Sequence, residues 1–114
     1  MEISADNYRV CHEENSDTIT FKGSLRLSGM EEYEPIINLL DEVAAKDPAC
    51  IVLDLQGLEF LNSSGISMLS KFVINIRKKN STTIAVKASE SIPWQGKSLK
   101  NLQRLMPSLS LEFV

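Results

Sequence analysis

The stretch Ile51 to Lys79, IVLDLQGLEFLNSSGISMLSKFVINIRKK, limits what this chain can fold into more than any other. It opens with Ile51 to Leu55, too brief for an ordinary helix and rich in β-branched and aliphatic side chains, the pattern of a strand buried on both faces. Gln56 and Gly57 read as a turn, followed by the apolar trio Leu58, Phe60 and Leu61. The chain then meets Asn62-Ser63-Ser64-Gly65, after which apolar residues recur at Ile66, Leu69, Val73 and Ile76 with helical spacing. Asn and Ser accept hydrogen bonds from the free N–H groups of a first helical turn, so the tetrapeptide predicts a helix cap at the carboxyl end of a strand. In open α/β sheets, ligands and partners gather there.

The 114 residues suffice for one core and not for two, so a single domain spanning 1–114 is expected. A net charge of −3 disfavours nucleic acid or an anionic membrane as partner, and the one dense basic run, Arg77-Lys78-Lys79, closes the predicted helix, where cations complement the dipole. The beginning of the chain, MEISADNYRV, lacks the apolar segment of a secretory signal. No apolar run approaches the roughly 18 to 20 residues of a membrane span. A cytoplasmic location follows as the expectation. Cys11 and Cys50 fall in predicted strands, far apart and without zinc spacing, and read as buried reduced thiols.

Taken in order, Tyr8 to Cys11 and Thr18 to Phe21 are β-prone runs around the polar patch His12-Glu13-Glu14-Asn15-Ser16-Asp17, an edge hairpin. Gly23 to Gly29 reads as a long connection. Tyr33, Ile36, Ile37, Leu40, Val43 and Ala44 then predict a helix from near Glu32 to near Lys46, with Pro35 in its first turn and Asp47-Pro48 as the stop. After the organising stretch come a strand at Thr82 to Lys87 and a loop at Ser89 to Gly96 around Trp94. A short helix over Ser98 to Met106 and a terminal strand at Leu109 to Phe113 complete the chain. The order is β-β-α-β-α-β-α-β: an α/β fold of about five strands and three to four helices, with the later strands parallel and the first pair antiparallel.

The aliphatic strand ending in Asp54, the sequence Phe60-Leu61-Asn62-Ser63-Ser64-Gly65-Ile66 and the amphipathic helix behind it together resemble the sulphate transporter and anti-sigma factor antagonist (STAS) domain family. The order of elements agrees over nearly the whole chain, while the specific signature is Asn62 to Ile66. In the bacterial anti-anti-sigma members the turn usually reads Asp-Ser-Ser/Thr-Gly-Leu. The Ser after the Asp is phosphorylated by a kinase that is also an anti-sigma factor; the unmodified domain sequesters that kinase, and a phosphatase resets the switch. By position, the resemblance implies that Ser63 is the phosphoacceptor, with Ser64 as second choice. It also implies a protein partner: an anti-sigma factor or serine kinase, and a cognate phosphatase. Two departures stand out: Asn62 where Asp is usual, and Arg26 where an Asp is common after the Gly-x-Leu of the first long loop. They mark a divergent branch with its own partner.

Read from the residues, the Ser-rich turn has two uses. Its side chains cap the helix, contributing about 1 kcal/mol, or a hydroxyl there takes a phosphate that the helix start tolerates and a docked partner does not. Ser64, Met68 and Phe72, spaced by four, form a stripe that is either core beneath a neighbouring helix or a docking patch. Trp94 likewise plugs the core or anchors a partner. The expected partner-binding set is therefore Asn62, Ser63, Ser64, Gly65, Met68, Phe72 and Trp94.

An enzyme is not expected. The single histidine, His12, lies in the predicted hairpin, Ser63 lacks a Gly-x-Ser-x-Gly elbow, and no catalytic residue is assigned. Asp41, Asp54 and Glu59 make no metal constellation, and no phosphate-binding glycine motif points to a cofactor. The reading is a non-catalytic bacterial signalling module, a monomer or weak dimer, that works by partner switching. The alternative is a constitutive scaffold that is never phosphorylated, and a third, lesser reading is small-ligand or nucleotide binding at the turn.

Overall fold

In the computed structural model, which describes residues 1–13 and 15–114, the strands are β1 (Glu2–Ser4), β2 (Tyr8–His12), β3 (Thr18–Leu25), β4 (Cys50–Leu61), β5 (Thr83–Ala88) and β6 (Ser110–Phe113). The helices are α1 (Gly29–Ala45), α2 (Ser63–Lys79) and α3 (Pro93–Leu105). The sheet runs β1-β2-β3-β4-β5-β6 in space as in sequence. The first two pairings are antiparallel and the last three parallel. Three right-handed crossovers between successive neighbours place all three helices on one face of the sheet. Val10, Ile19, Phe21, Leu53, Ile84 and Val86 are buried beneath them, and the alternate positions form the other, open face.

The α/β architecture is as expected, with six strands rather than five. β1 was not foreseen because Ile3 is its only apolar residue; backbone pairing with β2, Ile3 opposite Val10, holds it. The β2–β3 hairpin therefore lies inside the sheet rather than at its edge. Glu14, part of the polar patch expected between the two strands, lies outside the described residues. His12 is buried at 7% exposure, its Nε2–H donating to the Ser16 carbonyl at 3.0 Å. Cys11 and Cys50 are separate thiols, half-buried rather than enclosed.

Four boundaries move. Gln56 and Gly57 are not a turn: β4 continues to Leu61, and its register against β3 slips between Thr20 and Lys22 and again between Gly23 and Ser24. Each slip accommodates an extra β4 residue as a bulge, so a Gly that reads as a turn sits in a long strand. β3 correspondingly reaches Leu25 and shortens the long connection to Arg26–Ser28. Helix α1 begins at Gly29, which puts Pro35 in the second turn rather than the first; Pro35 is exposed, on the side of α1 turned to water. Helix α3 begins at Pro93, where the missing N–H costs nothing, so Trp94 belongs to a helix and not a loop.

Beyond Asp54, β4 loses its partner β5, leaving carbonyls that the sheet does not satisfy. Gln95 supplies the donors. Wholly buried, it donates from Nε2 to the carbonyls of Leu55 at 2.7 Å and Leu58 at 3.0 Å, and its Oε1 accepts from the Ser89 N–H at 2.7 Å. The indole N–H of Trp94 also donates to the Leu58 carbonyl, at 3.1 Å. The start of α3 thus fixes the last stretch of β4, which delivers the chain to the Ser-rich turn.

Candidate functional site

The turn is built around Asn62. It stands between the last residue of β4 and the first of α2, in extended conformation, and its Oδ1 accepts from the Gly65 N–H at 3.0 Å. Its backbone N–H continues the sheet by donating to the Leu25 carbonyl at 3.1 Å. Two further bonds exceed ordinary capping. Oδ1 also accepts from the Tyr33 hydroxyl at 2.7 Å, and Nδ2 donates to the Leu27 carbonyl at 2.7 Å. One carboxamide therefore ties α2 to α1 and to the Arg26–Ser28 loop. A carboxylate would keep the acceptor and lose the donor, setting an anion against the Leu27 carbonyl. That accounts for Asn62 in a position where the motif more often carries Asp.

Gly65 is the second requirement. It is buried, and a Cβ there would lie 2.2 Å from Leu61 Cδ1 and 2.7 Å from the Tyr33 hydroxyl oxygen. Only a residue without a side chain lets α2 approach β4 closely while the Tyr33 hydroxyl passes to Asn62. Burial raises the Tyr33 pKa above its ordinary value, keeping the phenol protonated and able to donate.

With the cap made by Asn62, the serines are left free of it. Ser63 is exposed and Ser64 half-exposed, and among the described residues no hydrogen bond holds the Ser63 hydroxyl. No acidic residue occupies the first turn of α2. The hydroxyl thus stands in solvent at the positive end of a 17-residue helix. Beside the turn, the Arg26 guanidinium lies 4.3 Å from the centroid of the Phe60 ring, itself 36% exposed. Arg26 borders an open cleft of about 770 Å³ whose lining includes Asp6, Tyr8, Ser24, Leu27 and Glu59.

The rest of the expected partner-binding set is not exposed. Met68 and Phe72 retain 2% and 5% of their surface because that side of α2 packs against Met30, Ile37 and Leu40 of α1. The docking stripe is core, and what α2 offers a visitor is its polar outer side. Trp94 is half-buried with its N–H committed to Leu58, a plug rather than a projecting anchor. Tyr33 and Gln95 were missed by sequence reasoning. Tyr33 read only as one apolar position of a helix, and Gln95 as loop, since neither pattern reveals a partner 29 to 40 residues away.

The comparisons bear on the family and the fold. The sequence model of the STAS domain matches residues 24–92, from the end of β3 to the start of α3. The chain belongs to the STAS domain family. No curated protein matches the STAS chain in sequence. Among solved structures it is similar to a chain in the complex of the diguanylate cyclase SiaD with its activator SiaC from Pseudomonas aeruginosa, with TM-score 0.76, 10% identity and coverage of 100% of this chain and 99% of the other. It is also similar to apo-SiaC from that organism, with TM-score 0.73, 10% identity and coverage of 99% and 98%. A third neighbour is an anti-sigma factor antagonist from Mycobacterium paratuberculosis, with TM-score 0.62, 21% identity and coverage of 96% and 82%. At these identities the likeness is one of fold. Among the described residues, no helix of this STAS domain is long and apolar enough to cross a membrane.

Proposed function

We propose that this STAS domain is a non-catalytic partner-switching module that binds a regulatory protein through the Asn62–Gly65 turn and the adjoining outer side of α2. Its switch is phosphorylation of Ser63 by a serine kinase of the anti-sigma type, reversed by a phosphatase. The supporting observation is the division of labour at the turn: Asn62 does the capping, so the exposed Ser63 hydroxyl is free to be modified without loss of a structural bond. A phosphate there adds a charge of roughly −1.5 to −2, which the helix start accepts and a docked protein surface must desolvate or repel. The neighbours named as an activator of a diguanylate cyclase and as an anti-sigma factor antagonist fit a domain whose output is another protein's activity.

Phosphopeptide analysis of the protein from its native cell across growth and stress conditions tests this. Phosphate on Ser63, with loss of partner on modification, is the expected result. Its persistent absence favours a constitutive scaffold using the same turn. Asn62 gives that second reading its footing, since the carboxylate usual before the phosphoacceptor is replaced by an uncharged latch.

A further inference from the structure

The outer surface of the helical layer is divided by charge. Helix α1 carries Glu31, Glu32, Glu34, Asp41 and Glu42 and no lysine or arginine. Helices α2 and α3 contain no aspartate or glutamate. Two of their cations have local duties. Arg77 donates from Nη1 to the Leu105 carbonyl at 2.9 Å, and Lys79 binds the Ala44 carbonyl at 2.6 Å and the Asp47 carboxylate at 3.0 Å. The other five, Lys71 and Lys78 on α2 and Lys97, Lys100 and Arg104 on α3, are exposed, and among the described residues none meets a carboxylate, although Arg104 also donates to Asn101 Oδ1 at 3.5 Å. For a chain of net charge −3 this is a pronounced separation. The linear sequence hides it, because β5 lies between α2 and α3 and only the crossovers bring the two helices together, with α2 central in the layer.

On α2 the exposed residues Ser63, Ser67, Lys71, Asn75 and Lys78 recur at helical spacing, so a polar stripe leads from the candidate phosphoacceptor to the two lysines. We infer that the α2–α3 face docks an acidic segment of the protein partner whose binding Ser63 controls, an inference that rests on the switching reading above. Charge complementarity identifies the occupant. A nucleic acid or lipid surface extends beyond two helices onto α1, whose five carboxylates repel it. An acidic protein segment confined to α2–α3 meets no carboxylate of those two helices; of the α1 acids, Asp41 shares a groove with Lys71. The sign of the switch then follows: a phosphate at the head of this face repels the carboxylates seated along it.

The test uses the full chain in its native cell, with a photo-crosslinking amino acid in place of Ser67 or Asn75, exposed positions that leave every cation and its bonds intact. The crosslinked peptide is then sequenced. The expected product is a segment of one protein with a clear excess of Asp and Glu. Its yield should fall about tenfold in a Lys97→Glu/Lys100→Glu double variant of unchanged melting temperature, fall less with Gln at both positions, and recover when acids of the captured segment are changed to lysine. Crosslinks to nucleic acid, to lipid, to α1 of a second copy or to a segment without acidic excess overturn the inference, as does a yield no higher than background. Ser63→Asp separates the two levels. If it leaves capture of an acidic segment undiminished, the switch fails and the docking face stands; if it releases a partner whose contact segment is not acidic, the switch stands and the face fails.

Discussion

The hydroxyl of Tyr33 reaches Asn62 Oδ1 at 2.7 Å by passing through the space that Gly65 leaves empty. This single contact joins the acidic helix α1 to the head of α2, and with the Nδ2 bond to Leu27 it makes the loop after β3, the end of β4 and the Ser-rich turn one unit. The rigidity of the turn is therefore a property of three segments rather than of the tetrapeptide alone.

Asn62→Asp should destabilise the domain by about 1–3 kcal/mol in urea or thermal unfolding, because the Leu27 carbonyl loses its donor and faces a carboxylate. Asn62→Ala should cost at least as much, since the cap disappears as well. An Asn62→Asp protein as stable as the parent would show that the donor bond to Leu27 contributes nothing.

Gly65→Ala should cost about 1–3 kcal/mol through overpacking against Leu61 and the Tyr33 hydroxyl. If the Cβ acts through that hydroxyl, Tyr33→Phe should recover part of the loss, and a double-mutant cycle measures the coupling. Strictly additive effects would refute the shared contact.

Ser63→Ala and Ser63→Asp should each change stability by no more than about 0.5 kcal/mol, as exposed positions outside the cap do. Ser63→Asp should nevertheless weaken the partner interaction. Unfolding curves and a binding assay on the same preparations separate the two effects, and a large stability loss on Ser63→Ala would mean that the hydroxyl caps the helix after all.

The Tyr33 phenol has its pKa raised above 10.0 by burial, so the folded state holds that proton more tightly than the unfolded one. Its contribution to stability is fully present below pH 10.0 and declines as pH rises through the folded-state value. Tyr33→Phe should remove this alkaline component while leaving the neutral-pH profile parallel to that of the parent. Unfolding measured from pH 8 upward checks it.

Gln95→Leu should be among the most costly single changes away from the turn, roughly 2–3 kcal/mol, because it strips the Leu55 carbonyl of its donor and the Ser89 N–H of its acceptor in a wholly buried place. Trp94 still serves the Leu58 carbonyl, which limits the damage. A loss below about 1 kcal/mol would imply that water replaces the amide.

Hydrophobic periodicity and turn chemistry by themselves determined the order of elements after β1 and a helix cap within Asn62–Gly65, because these depend on residues within a few positions of one another; that Asn62 and not a serine makes the cap is seen only in the structure. The strand through Gln56 and Gly57, the extra strand β1 and the helical setting of Trp94 depended on pairing with distant segments. Tertiary structure alone also decided which side of α2 is surface. Met68 and Phe72 could have faced water or α1, and the right-handed crossover laid α1 over them. The same crossover set α3 beside α2, and so brought two helices without acidic residues, separated in sequence by β5, next to each other. Local sequence carries no record of such neighbours, since burial and charge grouping are properties of which distant segments meet.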